Sequence, residues 1–174
     1  TAPIALPVSI IGSNDETAAV WDIAAGGSAR LLELKGHSSK VLAVSVSADG
    51  KMIATGSKDR TARLWNAETG ESLRVLKNHK AAVSGVSFTP DGTQLVTSSD
   101  DTTLIVWNTS TGDEVRKMAG HKKAVTSVSV SANGKLAASG SDDRTVKLWE
   151  VETGAELRSF AGHEHDVRSV ALFP

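Results

Sequence analysis

The residues best equipped for chemistry in this chain are four histidines, His37, His79, His121 and His163, set 42 residues apart. Each of the first three is followed at constant offsets by a hydroxyl, a carboxylate and an indole. These are Thr55, Asp59 and Trp65; Thr97, Asp101 and Trp107; and Ser139, Asp143 and Trp149. Hydroxyl, imidazole and carboxylate are the inventory of a hydrolase triad, in which the imidazole takes the hydroxyl proton and the carboxylate orients the ring. Such an enzyme needs one nucleophile set apart from the rest, in a pocket with donors for an oxyanion. Equivalent sets spread evenly along the chain predict a structural device instead, because buried polar groups must be paired and a satisfied network fixes register. No catalytic, cofactor-binding or metal-binding residue is therefore assigned.

A fourth set is split. Asp15 and Trp21 belong to the first unit, yet no Gly-His precedes them, and the histidine left over, His163, stands at the other end of the chain. Ile11 also occupies the position where the other units carry Thr or Ser. This network lacks its hydroxyl link, and a looser turn at Asp15 is expected.

The elements that must position these groups read as strands. After each histidine come apolar residues at Val41, Val44 and Val46; Val83, Val86 and Phe88; Val125, Val128 and Val130; and Val167, Val170 and Leu172. The two-residue step is strand alternation, and the three-residue step before it predicts a β-bulge. Asp49-Gly50, Asp91-Gly92 and Asn133-Gly134 are hairpin dipeptides. Further turns fall at Thr69-Gly70, Thr111-Gly112 and Thr153-Gly154. No segment keeps a helical period, so the chain is expected to be all-β. A period in the low forties signals stacked or circular repeats. Residues 1–7 read as an extended lead-in, and the loop AAGGSA after Trp21 is two residues longer than its counterparts.

The recurring Gly-His … Asp … Trp-Asp pattern resembles the WD40 repeat, and the resemblance covers almost all of residues 8–173 in four copies. It implies a β-propeller of four-stranded antiparallel blades, and in each blade a hydrogen-bond chain from Trp through Ser/Thr and His to Asp. A single domain, 1–174, would hold units at approximately 8–36, 37–78, 79–120 and 121–162. Residues 163–174 would supply the innermost strand of the first unit, so Val167–Phe173 should pair with Val8–Ser13. Three geometries satisfy this pairing: a four-bladed ring in one chain, an eight-bladed ring in which two chains exchange strands, or a piece of a longer repeat protein. The two-chain ring is the favoured reading, because the resembled blades rarely close at four.

Composition narrows the function. A formal charge of −1 gives no basic footprint for nucleic acid, and no apolar run approaches the length of a membrane-spanning helix. With no cysteine there is neither a disulfide framework nor a thiolate metal site. The chain opens on Thr1 and reads as a mature or excised piece, cytoplasmic rather than secreted. Function is then expected from a surface. The segments after the histidines and the turns around the Asp residues should share one face, bearing Lys40, Lys58, Arg60, Lys80, Asp100, Lys122, Lys123, Asp142, Arg144 and His165. This mixed-charge rim suits protein or peptide partners through charge pairing. Aromatic anchors are missing, since the four Trp are claimed by the blades and there is no Tyr. The expected function is a non-catalytic scaffold. The alternative is a repeat module of a larger regulatory enzyme, such as a kinase or a nucleotide-dependent regulator.

Overall fold

The apolar alternations after His37, His79 and His121 form strands, and the Asx-Gly and Thr-Gly pairs form the turns between strands. A computed structural model describes residues 8–23 and 29–173; the lead-in 1–7, most of the loop after Trp21, and Pro174 lie outside them. The described residues form β-strands and turns only. The first blade holds β1 (Val8–Gly12), β2 (Thr17–Asp22) and β3 (Arg30–Lys35). The second holds β4 (Val41–Val46), β5 (Met52–Ser57), β6 (Thr61–Asn66) and β7 (Ser72–Lys77). The third holds β8 (Val83–Phe88), β9 (Gln94–Ser99), β10 (Thr103–Asn108) and β11 (Glu114–Ala119). The fourth holds β12 (Val125–Val130), β13 (Leu136–Ser141), β14 (Thr145–Glu150) and β15 (Glu156–Ala161). Every blade is an antiparallel meander, and neighbouring blades meet through their inner strands: β1 against β4, β4 against β8, β8 against β12.

The sequence devices appear where expected. The first ladder of each full blade skips a residue, between Val41 and Ala43, Val83 and Gly85, and Val125 and Ser127. That is the bulge predicted by the three-residue step. Gly50, Gly92 and Gly134 adopt φ of 71°, 69° and 73°, and their amides bond back to the carbonyls of Ser47, Thr89 and Ser131. Glycine takes this left-handed conformation at the least steric cost.

Apolar packing lies between blades. Ala62, Leu64 and Leu76 of the second blade meet Val83, Val86, Leu95 and Trp107 of the third. Leu104, Val106 and Met118 of the third meet Val125, Ala137 and Trp149 of the fourth. Ala18, Val20 and Leu34 of the first meet Val41, Ile53 and Trp65 of the second. Each blade is thus stabilised chiefly by its neighbours, as in other repeat architectures. The approach is close: a Cβ on Gly12 would sit 2.8 Å from Val41 Cγ1, and one on Gly56 would sit 2.8 Å from Val83 Cγ1.

Of the three geometries, closure within one chain is not formed. Within the chain, Val167–Phe173 does not pair with Val8–Ser13: β1 is hydrogen-bonded to β2 alone among the described strands, and the first blade has three strands. The C-terminal segment lies against the fourth blade instead. Val167 N donates to Ser141 O, and Val167 and Val170 pack over Gly140. Lacking a ladder partner, the segment forms no strand. The physical reason is that blade-to-blade packing of the tail needs only the adjacent fourth blade, whereas the pairing needs the far end of the row of blades.

Candidate functional site: the rim held by buried networks

In each of the three full blades the structure brings together the four side chains that the spacing singled out. In the second blade the indole N–H of Trp65 donates to Thr55 Oγ1 at 2.9 Å. Thr55 Oγ1 lies 2.7 Å from His37 Nε2, and His37 Nδ1 lies 2.7 Å from Asp59 Oδ2. The third blade repeats this with Trp107, Thr97, His79 and Asp101 at 2.9, 2.8 and 2.9 Å. The fourth repeats it with Trp149, Ser139, His121 and Asp143 at 2.8, 2.7 and 2.8 Å. Donor inventory fixes the direction of the chain. An indole can only donate and a carboxylate only accept, so the hydroxyl receives from Trp and donates to Nε2, and the neutral imidazole carries its proton on Nδ1.

The electrostatics agree with that assignment. Burial holds the His37, His79 and His121 imidazoles below the ordinary value of 6.5, and the facing carboxylates only partly offset it. Burial alone would push Asp59 and Asp101 up. Hydrogen bonds outweigh it: Thr61, His37 and the Ser38 amide hold Asp59 at about 2, and Thr103, the Lys80 amide and His79 hold Asp101 at about 2. Asp143 is lowered by the same arrangement against the same burial.

The imidazole–hydroxyl–carboxylate geometry matches a hydrolase triad in its distances, but not in its surroundings. Thr55, Thr97 and Ser139 are fully enclosed, at 0% exposure, and each hydroxyl oxygen is occupied by an indole N–H. A carbonyl carbon has no approach to such an oxygen. Both nitrogens of each imidazole are engaged too, so neither offers a lone pair to a metal. Among the described residues no three His, Asp or Glu side chains gather as a ligand set.

What the networks do is tie down one end of each of the three full blades. Asp59 Oδ2 accepts from the Ser38 amide, Asp101 Oδ2 from the Lys80 amide and Asp143 Oδ2 from the Lys122 amide. The backbone completes the link, with Lys58 N on Lys40 O, Asp100 N on Ala82 O and Asp142 N on Ala124 O. The segment after each histidine and the Asp turn are thereby fused into a rim. Lys40, Lys58, Arg60, Lys80, Asp100, Lys122, Lys123 and Arg144 are exposed on it, and Asp142 is half-buried. His165 is exposed on the C-terminal segment. Charges on neighbouring blades sense one another there. Burial raises Asp100, and Asp142 and Asp101 raise it further, while Lys58 opposes them.

Reading the sequence by its four conspicuous types missed a fifth member. Thr61, Thr103 and Thr145 clamp the other carboxylate oxygen at 2.6 Å each. The signal was present as an Asp-x-Thr spacing in all four units, including Asp15 and Thr17. This explains the first blade, where the Asp15 turn is not looser in backbone terms. Thr17 Oγ1 bonds Asp15 Oδ1 at 2.7 Å, and Glu16 adopts φ 73°, the value at Arg60 and Thr102. The rest of that network is unassembled in the chain. Trp21 is half-buried where its counterparts are buried, Ile11 is 52% exposed, and His163 lies on the surface. The sequence also gave no sign of a cleft of about 520 Å³ on the opposite end, between the third and fourth blades, lined by Pro90, Arg116, Lys135 and Glu152 among others.

Comparison with known proteins agrees with this geometry. The family model described as WD domain, G-beta repeat matches residues 28–66, 70–108 and 112–150, more than half of the chain. The Candida albicans protein named small ribosomal subunit protein RACK1 is 38% identical over 76 residues, covering 41% of this chain and 24% of that protein. Eukaryotic translation initiation factor 3 subunit I of Aspergillus niger is 40% identical over 63 residues, 36% of this chain and 18% of that protein. A ribosome biogenesis protein BOP1 homolog of Oryza sativa is 50% identical over 44 residues, 25% of this chain and 6% of that protein. The matched stretch is thus at most about a quarter of these relatives. On its repeats, its blades and its buried networks, the chain belongs to the WD40 repeat family.

Proposed function

We propose that this chain is a non-catalytic scaffold that binds partner proteins or peptides on the rim held by the His–Asp networks. The observation that carries the reading is the fate of the triad-like groups among the described residues. Their hydroxyls are sealed by tryptophan, and their carboxylates are spent fixing the backbone beneath Lys40, Lys80 and Lys122. A rim whose turns are tied down presents its charges at little ordering cost on binding. Basic side chains predominate on it, so an acidic segment of a partner fits best. Two of the relatives, a ribosomal subunit protein and a subunit of an initiation factor, are by name components of larger assemblies, which supports a binding role.

A fluorescent peptide rich in Glu and Asp tests this by anisotropy at low and high salt. Saturable, salt-weakened binding is expected, reduced at least tenfold by combined Lys80→Glu, Lys122→Glu and Lys123→Glu. Equal loss on Lys135→Glu, which lies on the opposite end, would refute the placement.

A further inference from the structure

Where the second and third blades meet on the rim, the turn between β5 and β6 and the segment leading from β7 to His79 enclose a hollow of about 240 Å³. Three cationic side chains line it, Arg60, Lys77 and Lys80, and all three are exposed. None of them is paired with a carboxylate among the described residues. One carboxylate, Asp59, also reaches the hollow. Its oxygens are already taken by His37, the Ser38 amide and Thr61. His79 adds no charge, since burial holds its imidazole below the ordinary 6.5.

The fold does not require this clustering of charge. At the positions equivalent to Arg60, Lys77 and Lys80 the first unit has Glu16, Lys35 and Ser38. The third has Thr102, Ala119 and Lys122, and the fourth Arg144, Ala161 and Glu164. The third and fourth blades build the same turn, with φ 73° at Thr102 and 69° at Arg144 against 73° at Arg60, on a single cation each. The junction departs from the repeat in a further residue: Asn78 stands where the other units have Gly36, Gly120 and Gly162. Its side-chain nitrogen holds the carboxylate of Glu114 from the third blade, outside the hollow's lining. The main chain under the cations is fixed as well. Lys80 N donates to Asp101 Oδ2 at 2.8 Å and Arg60 N to Ser57 O at 3.2 Å, so a ligand has only side chains to order.

Charge decides what fits. Three cations against one carboxylate leave the hollow with an excess of two positive charges at neutral pH. A carboxylate ligand would balance half of it. A phosphate monoester carries about −1.5 to −2 at pH 7 and three acceptor oxygens, and so matches the excess. A guanidinium can serve two phosphoryl oxygens at once, while ammonium groups act as point charges. We infer that this hollow binds a phosphate monoester dianion, with Arg60 donating to the phosphoryl oxygens and Lys77 and Lys80 balancing the charge. The group has the same chemistry on a phosphorylated side chain of a partner and on a free phosphate ester. The inference concerns one dianion rather than an acidic stretch, and stands without the peptide reading.

A rhodamine-labelled peptide of glycines around one phosphoserine, free of Glu and Asp, tests it by anisotropy beside its unphosphorylated counterpart. The phosphopeptide should bind at least tenfold more tightly. That advantage should shrink as pH drops through about 6, where the phosphate takes back its second proton. Combined Arg60→Gln and Lys77→Gln, both at exposed side chains, should weaken the phosphopeptide at least tenfold and keep the parent's urea midpoint. Arg158→Gln, at an exposed arginine of β15, should leave its affinity unchanged. Free phosphoserine and inorganic phosphate serve as competitors. A phosphopeptide at least tenfold tighter than both assigns the group to a partner protein, and equal affinities assign it to a free phosphate ester. Equal binding of the two peptides, an advantage that persists at acid pH, or the same loss in Arg158→Gln would each overturn the site.

Discussion

Replacing Thr97 by Val removes one oxygen while keeping the shape of the side chain. That oxygen is fully buried and receives Trp107 Nε1 at 2.9 Å while facing His79 Nε2 at 2.8 Å. After the change, an indole N–H and an imidazole nitrogen remain in the interior without partners. Each buried unsatisfied group costs about 1–3 kcal/mol, so the loss should be roughly 2–5 kcal/mol. Retained volume excludes a cavity contribution, and valine suits a strand, so propensity works slightly against the loss. Urea unfolding followed by tryptophan fluorescence measures it, with Thr93→Val as the control. Thr93 also loses a hydroxyl bond to a carboxylate, Asp91, but on the exposed hairpin, where about 0.5 kcal/mol or less is expected. If Thr97→Val unfolds within 0.5 kcal/mol (roughly the surface range) of the parent, the indole–hydroxyl–imidazole chain does not stabilise the blade and the structural reading of the four-residue set is wrong.

Acid should destabilise the protein in two stages. His37, His79 and His121 have folded-state values below 6.5, so the unfolded chain binds protons first and stability falls as pH drops below 6.5. Asp59 and Asp101 are lowered from 3.8 to about 2. Their contribution, roughly 2 kcal/mol each before solvent screening, is present above pH 3.8 and lost as pH falls towards 2; urea midpoints across this range should show both steps. Gly56→Ala would place its Cβ 2.8 Å from Val83 Cγ1 and 3.0 Å from Val83 O, and the resulting overpacking should cost about 1–3 kcal/mol in the same unfolding assay. Thr102 holds φ 73° with a β-branched side chain, so Thr102→Gly should raise the unfolding midpoint by relieving about 1 kcal/mol of strain. Ser139→Ala should hydrolyse p-nitrophenyl acetate at the parent rate, and a tenfold fall would revive the hydrolase alternative.

The periodic spacing of His, Ser/Thr, Asp and Trp determined the repeat, the all-β class, the bulge after each of His37, His79 and His121, and four of the five members of each assembled network. These features are local or recur at a fixed offset, so a repeated residue pattern encodes them directly. The Asp-x-Thr clamp was legible in the same way and simply lacked a conspicuous residue type. Only the tertiary structure decided that the hydroxyls are sealed from any substrate, because enclosure depends on which blade lies against which. It alone decided where the tail rests, since Val167 and Val170 have the same pattern whether they pair with β1 or dock on Gly140. Pairing in a ladder is written in residues that alternate; the curvature of a row of blades, which determines whether its ends can meet, accumulates from packing at every interface and is written in no single one of them.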